Sequence, residues 1–259
     1  MRSLTKELNR DNQITLLPLY DAHCHLDMLG NLDVVQHNVA AMITNSTSFA
    51  SNMNNLKLVD GKRIFANLGI DPEFAKVIKA DELNFICDFI RENRNSITGI
   101  GEIGLDRPDG EDSYKMQKRV FERMLDLSIE LHKPVSIHSR NAINDVFEIL
   151  NEKKHQKAHI HFFEGGPEHS RIIQSMGYMV SIPPISSTKR RQAIREIPID
   201  NIMVESDSPA VGATPNDVII SLQIVAESKG ISIERAAEAI ANNTKRFFML
   251  NAHNNIMRY

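Results

Sequence analysis

Short apolar runs alternate with longer amphipathic stretches over most of the chain. Eight runs rich in β-branched and other apolar residues are typical of buried strands, at 17–23, 39–45, 63–70, 97–102, 134–138, 158–161, 178–183 and 202–206. Segments of helical periodicity lie between them, at 81–93, 112–132, 142–153, 168–176 and 188–196, and the tail over 216–250 predicts two or three further helices. Eight strands alternating with helices predict the α/β class and a closed (β/α)8 TIM barrel with extra C-terminal helices. An open, doubly wound sheet is the alternative.

The domain organisation and the cellular setting follow from length and composition. A chain of 259 residues without a repeat or a Pro/Gly/Ser-rich linker predicts one barrel domain over 17–259, preceded by an N-terminal extension over 1–16. The formal charge of −3 argues against a surface built mainly to grip nucleic acid. Two cysteines without a metal-type pair, an opening segment without an apolar core, and the lack of a run near the roughly 20 apolar residues of a membrane span predict a cytoplasmic protein with no membrane partner.

Residues that bind metals recur where the apolar runs end. His23 and His25 are two apart, so in a strand they share one face and form half of a divalent-metal site. Ligand-type side chains end four later runs, and the full set is His23, His25, Glu102, His138, His161 and Asp207. Side chains at the carboxyl ends of barrel strands converge over the barrel axis, so we expect these six to meet.

The size of this set predicts two divalent ions rather than one. Four imidazoles and two carboxylates exceed the needs of a four-coordinate zinc, but they suit two ions about 3.5–4 Å apart with a bridging carboxylate. Four imidazoles favour Zn, Mn, Ni or Co over Mg, which prefers oxygen ligands, and the identity of the ions (Zn, Mn or Mg) stays open. In this hypothesis Glu102 bridges the ions, and Asp207 acts as the general base for a water that attacks phosphorus or a carbonyl carbon.

The two-residue repeat of a strand adds a deeper layer. Asp21, His159 and Glu205 share faces with His23, His161 and Asp207 and lie one step further into the barrel. We expect Asp21 and Glu205 to accept hydrogen bonds from metal-bound imidazoles. For His159 the same role is open, but simple packing of a neutral ring is favoured. By the same rule Phe163 walls the pocket, whereas Phe162 packs under a helix.

Five motifs carry a resemblance to a known family. They are Asp-Ala-His-Cys-His-Leu-Asp at 21–27, Gly-Glu-Ile-Gly-Leu-Asp at 101–106, Pro-Val-Ser-Ile-His-Ser-Arg at 134–140, His-Phe-Phe-Glu-Gly at 161–165 and Glu-Ser-Asp-Ser-Pro at 205–209. From about residue 18 onward the chain resembles the TatD-type metal-dependent hydrolases of the amidohydrolase superfamily. The resemblance implies a (β/α)8 barrel, a one- or two-metal site, and a metal-activated water that attacks a phosphodiester, usually in DNA. It implies that the six residues above bind metal and that Arg140 lies near the substrate.

The chain departs from this family beside the expected site. Asp71 and Glu73 stand where the family usually has two histidines, and Glu164 replaces a Ser or Thr. The two acids in place of histidines, Asp71 and Glu73, predict repulsion of a phosphate. The segment Lys189-Arg190-Arg191 could contact a DNA backbone, although three charges at the start of a helix are more often simply solvated.

Three functions compete at this point. The first is a TatD-type deoxyribonuclease with DNA as its substrate. The second is a hydrolase of the same fold that cleaves a small ester, amide or lactone, which the acids at 71 and 73 favour. The third is a non-catalytic metal-binding barrel, which the complete set of ligand-type residues argues against.

Overall fold

An eight-stranded parallel barrel forms the centre of the molecule. The computed structural model describes residues 6–8, 14–35, 38–107 and 110–250. An antiparallel hairpin, Lys6–Leu8 (β1) with Ile14–Leu16 (β2), precedes the barrel. The barrel strands are Leu19–Cys24 (β3), Val39–Asn45 (β4), Ile64–Leu68 (β5), Gly99–Gly104 (β6), Val135–His138 (β7), Ala158–Ile160 (β8), Met179–Ile182 (β9) and Ile202–Val204 (β10).

Helices connect the strands on the outside of the barrel. They are Phe49–Leu58 (α1), Pro72–Ala75 (α2), Ala80–Glu92 (α3), Glu111–Glu130 (α4), Ile143–Glu152 (α5), Pro167–Met176 (α6), Thr188–Glu196 (α7), Val218–Lys229 (α8) and Ile233–Phe248 (α9). The last two are the predicted extra C-terminal helices, while residues 251–259 of the predicted domain lie outside the described residues. In the parts of the chain that the structure describes, no helix has the length and apolar character needed to cross a membrane.

The strands follow chain order and the barrel nearly closes. Each strand from β3 to β9 pairs in parallel with the next strand along the chain. Past the end of β10 two backbone bonds reach β3: Asp207 N–H donates to the carbonyl of His23 at 3.0 Å, and His25 N–H donates to that of Ser208 at 2.7 Å. These bonds join the first and last strands at the carboxyl end of the barrel. The barrel prediction is therefore confirmed, and the open sheet is wrong.

Side-chain alternation separates an apolar layer from a polar interior. In β7, Val135 and Ile137 belong to the main apolar core, whereas Ser136 turns towards His23 and His159 inside the barrel. The buried polar residues of the interior are Asp21, Asn45, Asn67, Ser136, His159, Ser181 and Glu205. A separate apolar cluster includes Phe65, Met179, Met203 and Phe248, and it lies towards the amino ends of the strands. Polar groups are thus concentrated at the carboxyl half of the barrel.

Helix α1 has no counterpart among the predicted helices. Its buried residues are Ser51, Asn52 and Asn55, so its inner face is polar and lacks apolar periodicity. These side chains hydrogen-bond instead of packing: Asn52 exchanges bonds with the backbone of Gly69 at 2.9 and 3.1 Å, and Asn55 donates to Ser46 Oγ at 3.0 Å. A pattern search for apolar faces cannot detect such a helix.

Candidate metal centre

Six side chains from five strand ends meet at the carboxyl end of the barrel. His23 lies in β3, Glu102 in β6 and His138 at the end of β7, whereas His25, His161 and Asp207 come just after β3, β8 and β10. All are buried except His138, which is partly exposed. The structure therefore brings together every residue that the strand-end pattern selected.

Glu102 stands between two pairs of imidazoles. Its Oε2 lies 3.5 Å from His23 Nε2 and 3.4 Å from His25 Nε2. Its Oε1 lies 2.9 Å from both His138 Nδ1 and His161 Nε2. We call His23, His25, Asp207 and Glu102 Oε2 the first half-site, and His138, His161 and Glu102 Oε1 the second half-site.

The spacing within each half-site fits a divalent ion. A tetrahedral ion with nitrogen ligands at about 2.0–2.1 Å requires ligand atoms about 3.3–3.4 Å apart. His23 Nε2 and His25 Nε2 are 3.3 Å apart, as are His161 Nε2 and His138 Nδ1. Asp207 Oδ1 completes the first half-site at 3.5 Å from His25 Nε2. The spacing of the residues in both half-sites therefore fits divalent metal ions.

The second nitrogen of each imidazole faces an oxygen. His23 Nδ1 lies 3.1 Å from Ser136 Oγ, and His25 Nδ1 lies 2.9 Å from the carbonyl of Asn45. The other two contacts are longer: His138 Nε2 is 3.3 Å from Asp106 Oδ2 and His161 Nδ1 is 3.9 Å from Glu205 Oε2. The hydrogen-bonded partners of His23 and His25 favour the tautomer that leaves the inward nitrogen free to bind a cation, whereas the longer contacts of His138 and His161 are not hydrogen bonds.

The two deeper carboxylates, Asp21 and Glu205, accept hydrogen bonds from different donors. Asp21 accepts from the backbone N–H of Ser206 at 2.9 Å and of His23 at 3.3 Å, so it supports the backbone of the strand ends rather than an imidazole. Glu205 accepts from Ser181 Oγ and, at 2.7 Å, from the backbone N–H of Phe162. Burial raises the pKa of Asp21 to about 7, and burial together with Asp207 raises the pKa of Glu205 well above its usual range.

The charged groups of the centre favour the binding of a cation. Burial opposes ionisation of Glu102, but His161, His138 and His23 outweigh it and hold its pKa well below the usual range. Burial likewise lowers the pKa of His25 and His138, but Asp207, Asp106 and Glu102 outweigh it and raise the two pKa values to about 9 and about 10. The carboxylates around these two imidazoles therefore favour positive charge at the centre, which a bound cation would supply.

A cavity of about 240 Å³ opens onto the centre. Its lining residues are His25, Glu102, His138, Ser139, Arg140, His161, Phe162, Glu164, Asp207 and Ala210. Arg140 contacts both carboxylate oxygens of Asp106: its Nε donates a hydrogen bond to Oδ1 and its Nη2 forms an ion pair with Oδ2, both at 2.9 Å. Asp106 therefore links Arg140 to His138. The sequence pattern indicates no role for Asp106, although the residue ends the motif at 101–106.

Several expectations about the cavity wall are wrong. Phe162 lines the cavity and Phe163 is fully buried, the reverse of the prediction, because Phe162 has a φ of +46° and the strand alternation ends there. Glu73 is exposed and pairs with Lys76 at 2.5 Å, so it does not face a substrate.

Two further expectations, those for Asp71 and for the basic segment 189–191, concern charge. Asp71 caps α2 by accepting from Phe74 N–H at 2.7 Å, and burial together with Glu102 raises its pKa to about 6. Its charge is therefore partly lost in mildly acidic solution. In the basic segment 189–191, Arg190 is buried and donates to the carbonyls of Phe163, at 3.1 Å, and Ile185, while Arg191 pairs with Glu227 at 3.0 Å. Two of its three cations are thus engaged within the protein.

Comparison with known proteins places this chain among the metal-dependent hydrolases. An uncharacterized metal-dependent hydrolase of Buchnera aphidicola subsp. Baizongia pistaciae is 33% identical over 76% of this chain and 80% of its own length. The human deoxyribonuclease TATDN3 is 30% identical over 89% of this chain and 94% of its own length. The crystal structure of YJJV, a TatD homolog from Escherichia coli K12, superposes with a TM-score of 0.83 at 20% identity and covers 90% of this chain and 98% of that one. The model of the family described as TatD related DNase matches residues 20–249, and the chain belongs to this family.

Proposed function

We propose that this hydrolase cleaves phosphodiester bonds in DNA at a centre of two divalent ions. The observation that carries the proposal is the position of Glu102, whose two oxygens face two separate imidazole pairs at 2.9–3.5 Å. A carboxylate that serves one ion has no need of two imidazole pairs. The name of the human relative supports DNA as the substrate.

The six residues would hold the ions in the two half-sites. His23, His25 and Asp207 would hold one ion, His138 and His161 would hold the other, and Glu102 would offer one oxygen to each half-site. Four imidazole ligands favour Zn or Mn over Mg. Ions bound there lower the pKa of a coordinated water towards neutrality and neutralise negative charge on the substrate.

Asp207 and Arg140 supply the remaining steps. Burial opposes ionisation of Asp207, but a hydrogen bond from His25 and the charges of nearby histidines outweigh it and lower the pKa of its carboxyl group. Asp207 is therefore ionised at neutral pH and accepts the proton of the attacking water. Arg140 lines the cavity with its guanidinium oriented by Asp106, and it steadies a phosphate oxygen of the substrate.

Cleavage of a small ester, amide or lactone is the second candidate. Glu164 favours it, because a carboxylate in the cavity wall repels a phosphodiester and has no such effect on a neutral acyl substrate. The cavity of about 240 Å³ also suits a small molecule.

A substrate panel separates the two candidates. We would determine the metal content of the purified protein, load it with Zn²⁺ or Mn²⁺, and offer single-stranded DNA, RNA and nitrophenyl esters. The nuclease proposal predicts release of nucleotides from DNA, abolished by EDTA and restored by the metal. Ester turnover without DNA turnover supports the second candidate, and the absence of both in metal-loaded protein overturns the proposal.

Three variants, one of them a control, sharpen this assay. His138→Ala should abolish DNA cleavage because it removes a nitrogen from the second half-site. His132→Asn is its control, since His132 is exposed just before β7 at the amino end of the barrel, and asparagine tolerates its φ of +55°. Asp71→His tests the departure from the family and should raise nuclease activity if Asp71 repels the substrate.

A further inference from the structure

A chain of buried hydrogen bonds runs beneath the candidate metal centre. His23 Nδ1 lies 3.1 Å from Ser136 Oγ, which lies 3.2 Å from His159 Nδ1. On the other side of the ring, His159 Nε2 lies 2.6 Å from Ser181 Oγ, and Ser181 donates to Glu205 Oε2. All five residues are 0% exposed. We call His23, Ser136, His159, Ser181 and Glu205 the buried relay.

His159 occupies the middle of the relay. Its ring uses both nitrogens, which is more than packing of a neutral ring requires. Below it the rings of Phe247 and Phe248 approach edge-on, with centroids 6.1 and 6.0 Å away. A polar ring next to such apolar neighbours is costly unless both of its nitrogens are satisfied. These apolar neighbours therefore favour the hydrogen bonds of His159 with Ser136 and Ser181.

If Nε2 of His23 is free to bind a metal, only one assignment of donors and acceptors along the relay is possible. A neutral imidazole has one donor and one acceptor nitrogen, so a free Nε2 requires the proton of His23 on Nδ1. That proton is donated to Ser136 Oγ, and the Ser136 hydroxyl must then donate to His159 Nδ1. The proton of His159 is therefore on Nε2 and is donated to Ser181, whose hydroxyl donates to Glu205.

The opposite direction disables the first half-site. If the direction of every hydrogen bond in the relay were reversed, His23 would carry its proton on Nε2, which points towards Glu102 and His25. Such a nitrogen has no lone pair for a cation. At the far end Glu205 accepts from the backbone N–H of Phe162 at Oε1, at 2.7 Å, and from Ser181 at Oε2, so reversal would require a proton on Oε2.

We propose that His159 is a positioning residue, which acts through Ser136 to hold His23 in the tautomer that binds metal. The inference rests on the metal centre of the proposed function. It predicts that loss of His159 weakens the first half-site and spares the second. Ser136 links the relay to His23 at 3.1 Å, whereas Glu205 Oε2 lies 3.9 Å from His161 Nδ1, beyond hydrogen-bond distance. Loss of a partner behind a metal ligand usually lowers metal affinity 10- to 100-fold.

The test is a metal titration of the chelator-treated full chain. Zn²⁺ is added in competition with a chromophoric chelator to wild type, His159→Leu and Ser136→Ala. We expect one of two binding events to weaken 10- to 100-fold in both variants and the other to stay unchanged. His159→Asn should recover part of the loss, because its side-chain oxygen can accept from Ser136 near the former Nδ1 position.

His155→Leu is the matched control. It removes another buried histidine with a serine partner, Ser128 Oγ at 2.7 Å, from the segment before β8 at the opposite end of the barrel. It should leave both zinc affinities unchanged. Nitrogen-15 NMR of labelled histidine supplies a readout independent of affinity. The proton of His23 should reside on Nδ1 in wild type and distribute over both nitrogens in His159→Leu.

The outcomes separate the two proposals. Wild-type affinities in His159→Leu and Ser136→Ala overturn the role of His159 and leave the metal centre standing. If His159→Leu fails to fold, the smaller change Ser136→Ala decides alone, since it deletes a single hydroxyl. A wild-type protein that binds no zinc overturns both the relay and the centre above it.

Discussion

One methyl group at Gly69 tests how closely the centre depends on the backbone of Glu102. Gly69 follows β5, and a Cβ added there would lie 2.4 Å from the carbonyl oxygen of Glu102, whereas ordinary contact begins at 3.4 Å. Gly69 cannot readily retreat, because Asn52 holds its N–H and its carbonyl at 2.9 and 3.1 Å. The peptide of Glu102 must therefore move by about 1 Å to reach ordinary contact.

The size of the effect follows from this displacement. A shift of about 1 Å in a reacting or binding group costs roughly 100-fold in rate, or about 2.7 kcal/mol. We expect Gly69→Ala to lower kcat/KM on single-stranded DNA by about that factor and to weaken metal binding in both half-sites, since both use Glu102. Overpacking costs roughly 1–3 kcal/mol of stability, so the Tm should fall by several degrees.

The assays are kcat/KM, metal titration and a thermal melt of the folded variant. Gly30→Ala is the control, because a Cβ at Gly30 meets no atom within 4 Å. It should match wild type in all three measurements. A folded Gly69→Ala protein with wild-type metal affinity and kcat/KM would refute the idea that this close approach positions Glu102.

Three further predictions concern the metals and one distant histidine. Removal of metal with EDTA should lower the Tm, because an ion present at 100 times its Kd adds about 2.7 kcal/mol to the unfolding free energy. A calorimetric Tm that is unchanged by EDTA and by added Zn²⁺ contradicts the metal centre. Glu102→Gln should bind one ion instead of two, since an amide NH₂ replaces one of the two facing oxygens; elemental analysis that finds two ions refutes the bridge. Burial lowers the pKa of His155 from 6.5 to about 4, so below pH 6.5 the unfolded chain takes up a proton that the folded one does not. Wild type should therefore lose roughly 3 kcal/mol relative to His155→Leu as the pH falls from 7 to 4, and urea melts that give a constant difference would disprove this.

The amino-acid sequence by itself determined the architecture and the chemistry of the strand ends. Buried parallel strands must be apolar on the face under the helices, so runs such as 134–138 and 202–206 stand out against the amphipathic helices between them. In a barrel the carboxyl ends of all strands open to one place. His23, Glu102 and Asp207 could therefore be assigned to one centre although they are far apart in the chain.

The tertiary structure alone decided which partner each inward side chain meets. The two-residue repeat specifies the face of a strand but not its neighbours across the barrel, so the link from Ser136 to both His23 and His159 depends on strand register and curvature. The repeat also holds only for extended backbone, and it fails at Phe162, whose positive φ turns that ring into the cavity.

The same limit explains helix α1 and the bridging role of Glu102. The inner face of α1 is satisfied by hydrogen bonds, which leave no periodic trace in an apolar pattern. That each oxygen of Glu102 faces its own imidazole pair depends on where three other strand ends, those of β3, β7 and β8, place their imidazole rings. Residue type and spacing along one strand carry no information on that arrangement, because distances across the barrel are set by the packing of the whole domain.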